Sequence, residues 1–311
     1  MNHNLFLGMY SFKIKKKNTR NTKTIGINNF LSIAYPDKNN KFSDGFVQEI
    51  IKLLDTKTFK NERKTHGAIL EEQSFNPSQR TFDLLINGGI TGLKQYIIDE
   101  SGEKNELSKD KTIGLKFYAR LWLPSSSNSG YIFIQKYGSL SIKPIFDSII
   151  KTVLNNNEFS LIHGRMIPTT TKKRQEQFMK HSQIKDITIV SKKSSYDTAF
   201  AQASQATIKL SNIKLSKDGL VDKTDIDSAL DSHGFKIADR DYLMKATYQN
   251  KTDSYNEEKT VVLDDSEETI NIIPSILVPK KCVDIDNSPL FEEMKKLADL
   301  EIQQIIKESK L

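Results

Sequence analysis

The sequence predicts an α+β protein: largely antiparallel sheets with isolated helices, a two-part chain and a long C-terminal helix. Three observations carry this expectation. Short apolar runs with partial alternation recur between residues 4 and 137 and again between 185 and 278. Helical periodicity is confined to a few separate segments, so the regular strand–helix alternation of a parallel sheet is missing. A long amphipathic segment closes the chain.

Residues 4–14 read as the first strand, with Leu5, Phe6, Leu7, Met9, Tyr10, Phe12 and Ile14 in partial alternation, and 15–23 as a polar loop. Residues 25–34 are apolar without a clear period. A helix is expected over 44–54, where Phe46, Ile50, Leu53 and Leu54 share a face. Strands are expected near 66–74, 82–87, 92–99, 112–123 and 130–137, with Asn87-Gly88-Gly89 as a turn between two of them. Residues 100–110 read as a polar connection and 123–130 as a loop. The run 130–138 is nearly continuous in apolar residues, which places it centrally in its sheet. Pro144 opens a helix that carries Ile145, Phe146, Ile149, Ile150, Val153 and Leu154.

The two parts divide at 1–157 and 158–311. In the second, 159–167 is strand-like, and Thr169-Thr170-Thr171 is an N-cap region for a helix over 172–180. Further strands are expected near 185–190, 205–215, 243–249, 260–264 and 270–278, with a short helix over 225–230 and an acidic loop or hairpin edge within 253–268. The final helix, 289–309, has Ser288 as cap, Pro289 at its start, and Glu292 and Glu293 in its first turns.

The chain has 311 residues, enough for one large or two ordinary domains. Its 37% hydrophobic and 27% charged content fits a water-soluble globular protein. No apolar run reaches the roughly 18–20 residues that span a bilayer. Residues 1–10 are too short and polar for a signal peptide, so a cytoplasmic protein without direct membrane insertion is expected. The single cysteine, Cys282, excludes an internal disulfide and a Cys-based metal cage. Its plain reading is a small buried hydrophobe; the alternative is a reactive thiol.

Enzyme signatures are sparse. There is no Gly-rich phosphate loop followed by Lys-Ser/Thr, no G-x-G-x-x-G after a strand and no G-x-S-x-G elbow. The five histidines show no metal-ligand spacing. His163-Gly164-Arg165, at a strand end, could bind or cleave a phosphodiester, or be a surface turn. Asp222, Asp225, Asp227 and Asp231 lack the mid-loop Gly and terminal Glu of a calcium loop, and read more simply as helix caps and surface charge. The run from Asp264 to Glu268 reads as a solvated turn. No catalytic set, metal or cofactor is expected, although a metal-dependent nuclease or phosphodiesterase stays open as an alternative. So does a non-catalytic protein–protein adaptor using the last helix.

Charge is more informative. The net charge is +7, yet residues 1–23 carry +6 without an acid and residues 163–193 carry another +6, which leaves −5 for everything else. Charge concentrated this way makes a local positive field of the kind that attracts a polyphosphate. The candidate DNA-binding residues are Lys13, Lys15, Lys16, Lys17 and Arg20 in the first segment. In the second they are Arg165, Lys172, Lys173, Arg174, Lys180, Lys192 and Lys193. Ser and Thr hydroxyls interleave in the second segment, a mix suited to phosphate contacts. No recognition-helix or zinc-finger pattern is present, so contacts should be sequence-tolerant.

Four stretches carry a resemblance. They are Phe6-Leu7-Gly8-Met9-Tyr10-Ser11-Phe12 with the Lys-rich turn and Ile27-Asn28-Asn29-Phe30-Leu31 after it; the 130–137 run and its helix; Lys185-Asp186-Ile187-Thr188-Ile189-Val190-Ser191-Lys192-Lys193; and Glu292-Glu293-Met294. Together they cover about a third of the chain, and in this order they resemble the RexA-like phage-exclusion DNA-binding proteins and, more loosely, KwaB of the Kiwa phage-defence systems. The resemblance implies a homodimer that binds double-stranded DNA without strong sequence preference. It also implies a role in antiviral defence beside a membrane protein encoded nearby. It implies no catalytic residues.

Overall fold

The structure, a computed structural model, describes residues 5–17, 23–55, 58–92, 95–98, 100–108, 111–180, 182–191, 207–211, 242–252, 255–263 and 273–309. Two compact units emerge, Met1–Thr169 with Ser275–Leu311, and Thr170–Pro274. The expected boundary at 157/158 is therefore displaced to 169/170, and the chain's last stretch returns to the first unit. The physical reason is pairing: residues beyond 157 still complete the edge of the first strand, and the final helix buries its apolar side against the first sheet.

In chain order the first unit opens with β1 (Leu5–Lys16), α1 (Ile27–Ala34), a π-helical segment (Lys41–Val47) and α2 (Gln48–Asp55). Strands β2 (Phe59–Lys60), β3 (His66–Asn76), β4 (Thr81–Ile90), β5 (Gln95–Ile98), β6 (Lys104–Leu107), β7 (Ile113–Trp122), β8 (Ser129–Tyr137) and β9 (Leu140–Ser141) follow. Then come α3 (Lys143–Asn156), β10 (Phe159–Leu161) and β11 (Ile167–Pro168). The second unit holds α4 (Lys172–Lys180), β12 (Ser182–Ser191), β13 (Thr207–Ser211), β14 (Tyr242–Thr252) and β15 (Tyr255–Leu263). The chain ends, back in the first unit, with β16 (Ile276–Leu277), a 3-10 turn (Lys280–Cys282) and α5 (Phe291–Ser309). The fold is α+β with antiparallel sheets and a long C-terminal helix, as the periodicities predict.

Among the described residues the first unit is built on one sheet in the order β10-β1-β8-β7-β4-β3-β2. The far edge of β1 is lined in turn by β16, β11 and β10, each two or three residues long. Pro168, which cannot donate to a ladder, sits on this edge. Strand β8 lies between β1 and β7, the central position its apolar run predicts. Successive residues face opposite sides of a sheet. Tyr10, Phe12 and Ile14 join the larger core, under α1, the π-helical segment, α2 and α3. Leu5, Leu7 and Met9 join the second core, with Tyr118, Trp122 and Phe133. Met294, Ala298, Ile302 and Ile305, four or three residues apart on α5, cover that second face.

Several local expectations change. Asn87-Gly88-Gly89 is not a turn but the middle of β4, paired with Ile69-Ala68-Gly67 on one side and Lys116-Leu115-Gly114 on the other. Glycine is required there by close approach: a Cβ on Gly89 would sit 1.9 Å from the Ile113 carbonyl oxygen. The polar connection 100–110 contains β6, which forms a separate hairpin with β5. The helix expected from 44 begins as the π-helical segment, nucleated by Asn40, whose Oδ1 accepts from Phe42 N–H and Ser43 N–H, each at 3.1 Å. The last helix starts at Phe291, because Pro289 is held in a bridge with Val283 and Ser288 N–H donates to Asp284. The strand-like stretch 159–167 is two short strands around a turn. Cys282 is buried, as its plain reading has it, and burial pushes its thiol up. The short helix at 225–230, the four aspartates around it and the 264–268 run lie outside the described residues.

In the second unit the sheet order is β13-β12-β14-β15, all antiparallel. Ile187 pairs with Ala246, and both are buried with Tyr248 on one face. The neighbouring register positions, Asp186, Thr188, Lys209, Lys245, Thr247 and Thr260, belong to the other face.

Candidate nucleic-acid interface

Period-two alternation puts Lys13 and Lys15 on the same side of β1 as Leu5, Leu7 and Met9, at the end of the strand beyond the second core. Lys13 lies opposite Ser129 of β8 and Lys15 opposite Ser160 of β10, so two lysines alternate with two hydroxyls across three strands. Lys13 is exposed, Lys15 half-buried, and Lys16 and Lys17 are exposed at the strand end. Lys17 N–H donates to the carbonyl of Glu158, 2.9 Å away, which brings one acid beside these cations.

The turn between β10 and β11 carries His163, Gly164 and Arg165. Ile162 N–H donates to the Lys13 carbonyl at 3.0 Å, and Gly164 N–H closes the turn on the Leu161 carbonyl at 3.1 Å. Gly164 has φ +62°, which glycine adopts without steric cost. Met166 is buried and its N–H is held by Asp147 Oδ1 at 3.0 Å. His163 and Arg165 are therefore exposed on a turn anchored at both ends. Residues about 150 positions apart, Lys13 and Arg165, become neighbours on one edge of β1.

Lys172, Lys173, Arg174 and Lys180 lie on α4, in the other unit. Thr171 caps that helix: its Oγ1 accepts from Arg174 N–H at 3.3 Å, as the Thr-rich stretch predicts. Phe178 is buried and its carbonyl accepts from the Ser182 hydroxyl at 2.6 Å, which fixes the helix to β12. At about 100° per residue, Lys173 and Lys180 share an exposed stripe, with exposed Lys172 about a quarter turn away. Glu176 interrupts this stripe, and Arg174 is half-buried. Three cations occupy the first turn without an acid, the reverse of what the helix dipole favours. That arrangement concentrates positive potential and suits an anionic partner. Arg20, Lys192 and Lys193 lie outside the described residues.

Sequence reasoning missed two further cations in the second unit, Lys209 and Lys245, which flank Thr188 on neighbouring strands. Lys209 is bridged to the buried Asp186 at 3.1 Å. Alternation within β13 and β14 could have put them on the polar face, but only the strand pairing brings them together.

The other polar centre of the first unit is buried under α5. Arg120, 2% exposed, binds Asp83 through Nε at 2.6 Å and Nη2 at 3.1 Å, while Nη1 donates to Asp299. The Tyr118 hydroxyl donates to Asp83. Burial raises the Asp83 carboxyl, opposed by Arg120 and Tyr118, and raises the Tyr118 hydroxyl well above its ordinary value. Asp83, Arg120 and Tyr118 thus form a buried ion-pair network whose outer carboxylate, Asp299, is 48% exposed. Among the described residues no three His, Cys, Asp or Glu side chains are grouped to hold a metal ion. No helix among them is long and apolar enough to cross a membrane.

Comparison with protein-family models, curated proteins and solved structures returns no match.

Proposed function

We propose that this chain is a sequence-tolerant DNA-binding protein acting in antiviral defence, as the resemblance to the RexA-like and KwaB proteins implies. The carrying observation is the juxtaposition on β1: Lys13, Lys15, Lys16 and Lys17 stand beside the anchored turn that bears Arg165. Cations alternating with Ser129 and Ser160 hydroxyls match a phosphate backbone, which offers charge and acceptors but no sequence. The α4 stripe supplies a second basic surface within its own unit. On this reading the protein works as a homodimer on double-stranded DNA, beside a membrane protein encoded nearby.

Fluorescence anisotropy with unrelated 30-base-pair duplexes between 50 and 200 mM salt tests the reading. Affinity should be similar across sequences and fall steeply with salt. Replacing Lys13, Lys15 and Arg165 with Ala should reduce the slope of log K against log salt by about 2.7, at about 0.9 per lost phosphate contact. A flat slope in the native protein refutes the proposal. Incubation with plasmid and Mg²⁺ separates it from a nuclease: cleavage abolished by His163→Ala would replace it.

A further inference from the structure

A cavity of about 270 Å³ opens between α1, the start of the π-helical segment and the β3–β4 turn. Its polar walls are Asn28, Ser32, Asn39, Asn40, Lys41 and Arg80. Among the described residues none of its walls carries a carboxylate. The acid of the same segment, Asp44, is already engaged: it accepts from Asn40 N–H at 3.1 Å and from the Ser43 hydroxyl at 2.8 Å.

Arg80 is held there at some cost. The β3–β4 turn is tied by Asn76, whose Oδ1 accepts from Ser78 N–H at 3.1 Å, Ser78 Oγ at 2.7 Å and Gln79 N–H at 3.2 Å. Arg80 ends the turn at φ +54°, a left-handed conformation that glycine or asparagine adopts more readily. Its side chain donates to Asn28 Oδ1 on α1, which uses one of the five donors of a guanidinium. Partial burial lowers its pKa, and a guanidinium stays protonated nonetheless. A half-buried cation in a strained backbone position, facing amides and a second cation, is a poor choice for stability alone.

We infer that this cavity binds a small phosphate monoester of nucleoside size, such as a nucleoside monophosphate. The charges match, because a phosphate monoester carries up to two negative charges near neutral pH and Arg80 and Lys41 supply two positive ones. Arg80 brings the planar donor fork that suits phosphate oxygens. The Asn28 and Asn40 amide N–H groups offer donors for a sugar or base edge, Asn39 offers both donor and acceptor, and Pro77 adds apolar surface for a ring. The volume lies just below the usual range for small-ligand sites, a size suited to one nucleoside unit. This site is separate from the DNA reading and is tested without DNA.

Isothermal titration of the full chain with AMP, ribose 5-phosphate, inorganic phosphate and adenosine is the test. AMP should bind at least tenfold more tightly than adenosine and than inorganic phosphate. Arg80→Gln and Lys41→Gln should each weaken AMP at least fivefold, with the fluorescence of Trp122 reporting that the unit is folded. Equal binding of AMP and adenosine, no binding of any of the four, or full AMP affinity in both folded variants would each overturn the inference. Should Arg80→Gln fail to fold, Lys41→Gln alone decides.

Discussion

Replacing Arg120 with Met tests how the second face of the large sheet is held together. The substitution keeps the length and apolar stem of the side chain but removes the charge. Asp83, 2% exposed, then loses both guanidinium bonds and keeps only the Tyr118 hydroxyl. A buried carboxylate stripped of its cation costs about 3–5 kcal/mol, a large part of the roughly 5–15 kcal/mol that holds a domain folded. Asp299 is different, because its side chain is 48% exposed. Asp299→Asn keeps a hydrogen-bond acceptor in water-accessible surroundings and should cost less than about 1 kcal/mol. Removing both buried charges together, in Asp83→Leu with Arg120→Met, should recover most of the single-variant loss. Trp122 is the chain's only tryptophan and lies in the same core, so urea unfolding followed by its fluorescence reports this unit alone. Equal costs for Arg120→Met and Asp299→Asn would refute the assignment of the energy to the buried pair.

Two further outcomes follow from the same structure. Gly89→Ala drives a Cβ into the Ile113 carbonyl from the middle of a paired strand, and should lower stability by about 3 kcal/mol in the same unfolding assay. Burial lowers the pKa of His66, so folding favours its neutral ring. That stabilisation is complete above the ordinary histidine value of about 6.5 and is lost as pH falls through the depressed one. The urea midpoint of His66→Gln should therefore fall less than that of the native chain between pH 7.5 and pH 5.

Much of the architecture was legible because it is written in local periodicity. The 130–137 run announces a central strand, and β8 is central. Pro144 sits in the first turn of α3, and Thr171 caps α4. Glycine was the main source of misreading. Gly88 and Gly89 look like a turn when only neighbours in sequence are considered, whereas their need is set by backbone packed beside them from β3 and β7. The candidate basic surface was legible as residue types and only partly as a place. Arg80 was not legible at all, since a single arginine after Asn76-Pro77-Ser78-Gln79 carries no charge pattern, and only the cavity around it distinguishes it.

The sequence by itself determined the α+β class, the antiparallel strands, the principal helices and the concentration of positive charge into two segments. These follow from facing and charge within a few residues, which hydrophobic period and composition report directly. Tertiary structure alone decided that β1 takes β10, β11 and β16 on one edge, that α5 returns to the first unit, and that Lys13 meets the Arg165 turn. Alternation fixes which face a residue occupies, but every strand of the same pattern presents the same hydrogen-bonding edge. The choice of neighbour is made by the cores on both faces of the sheet, and no single segment contains either core.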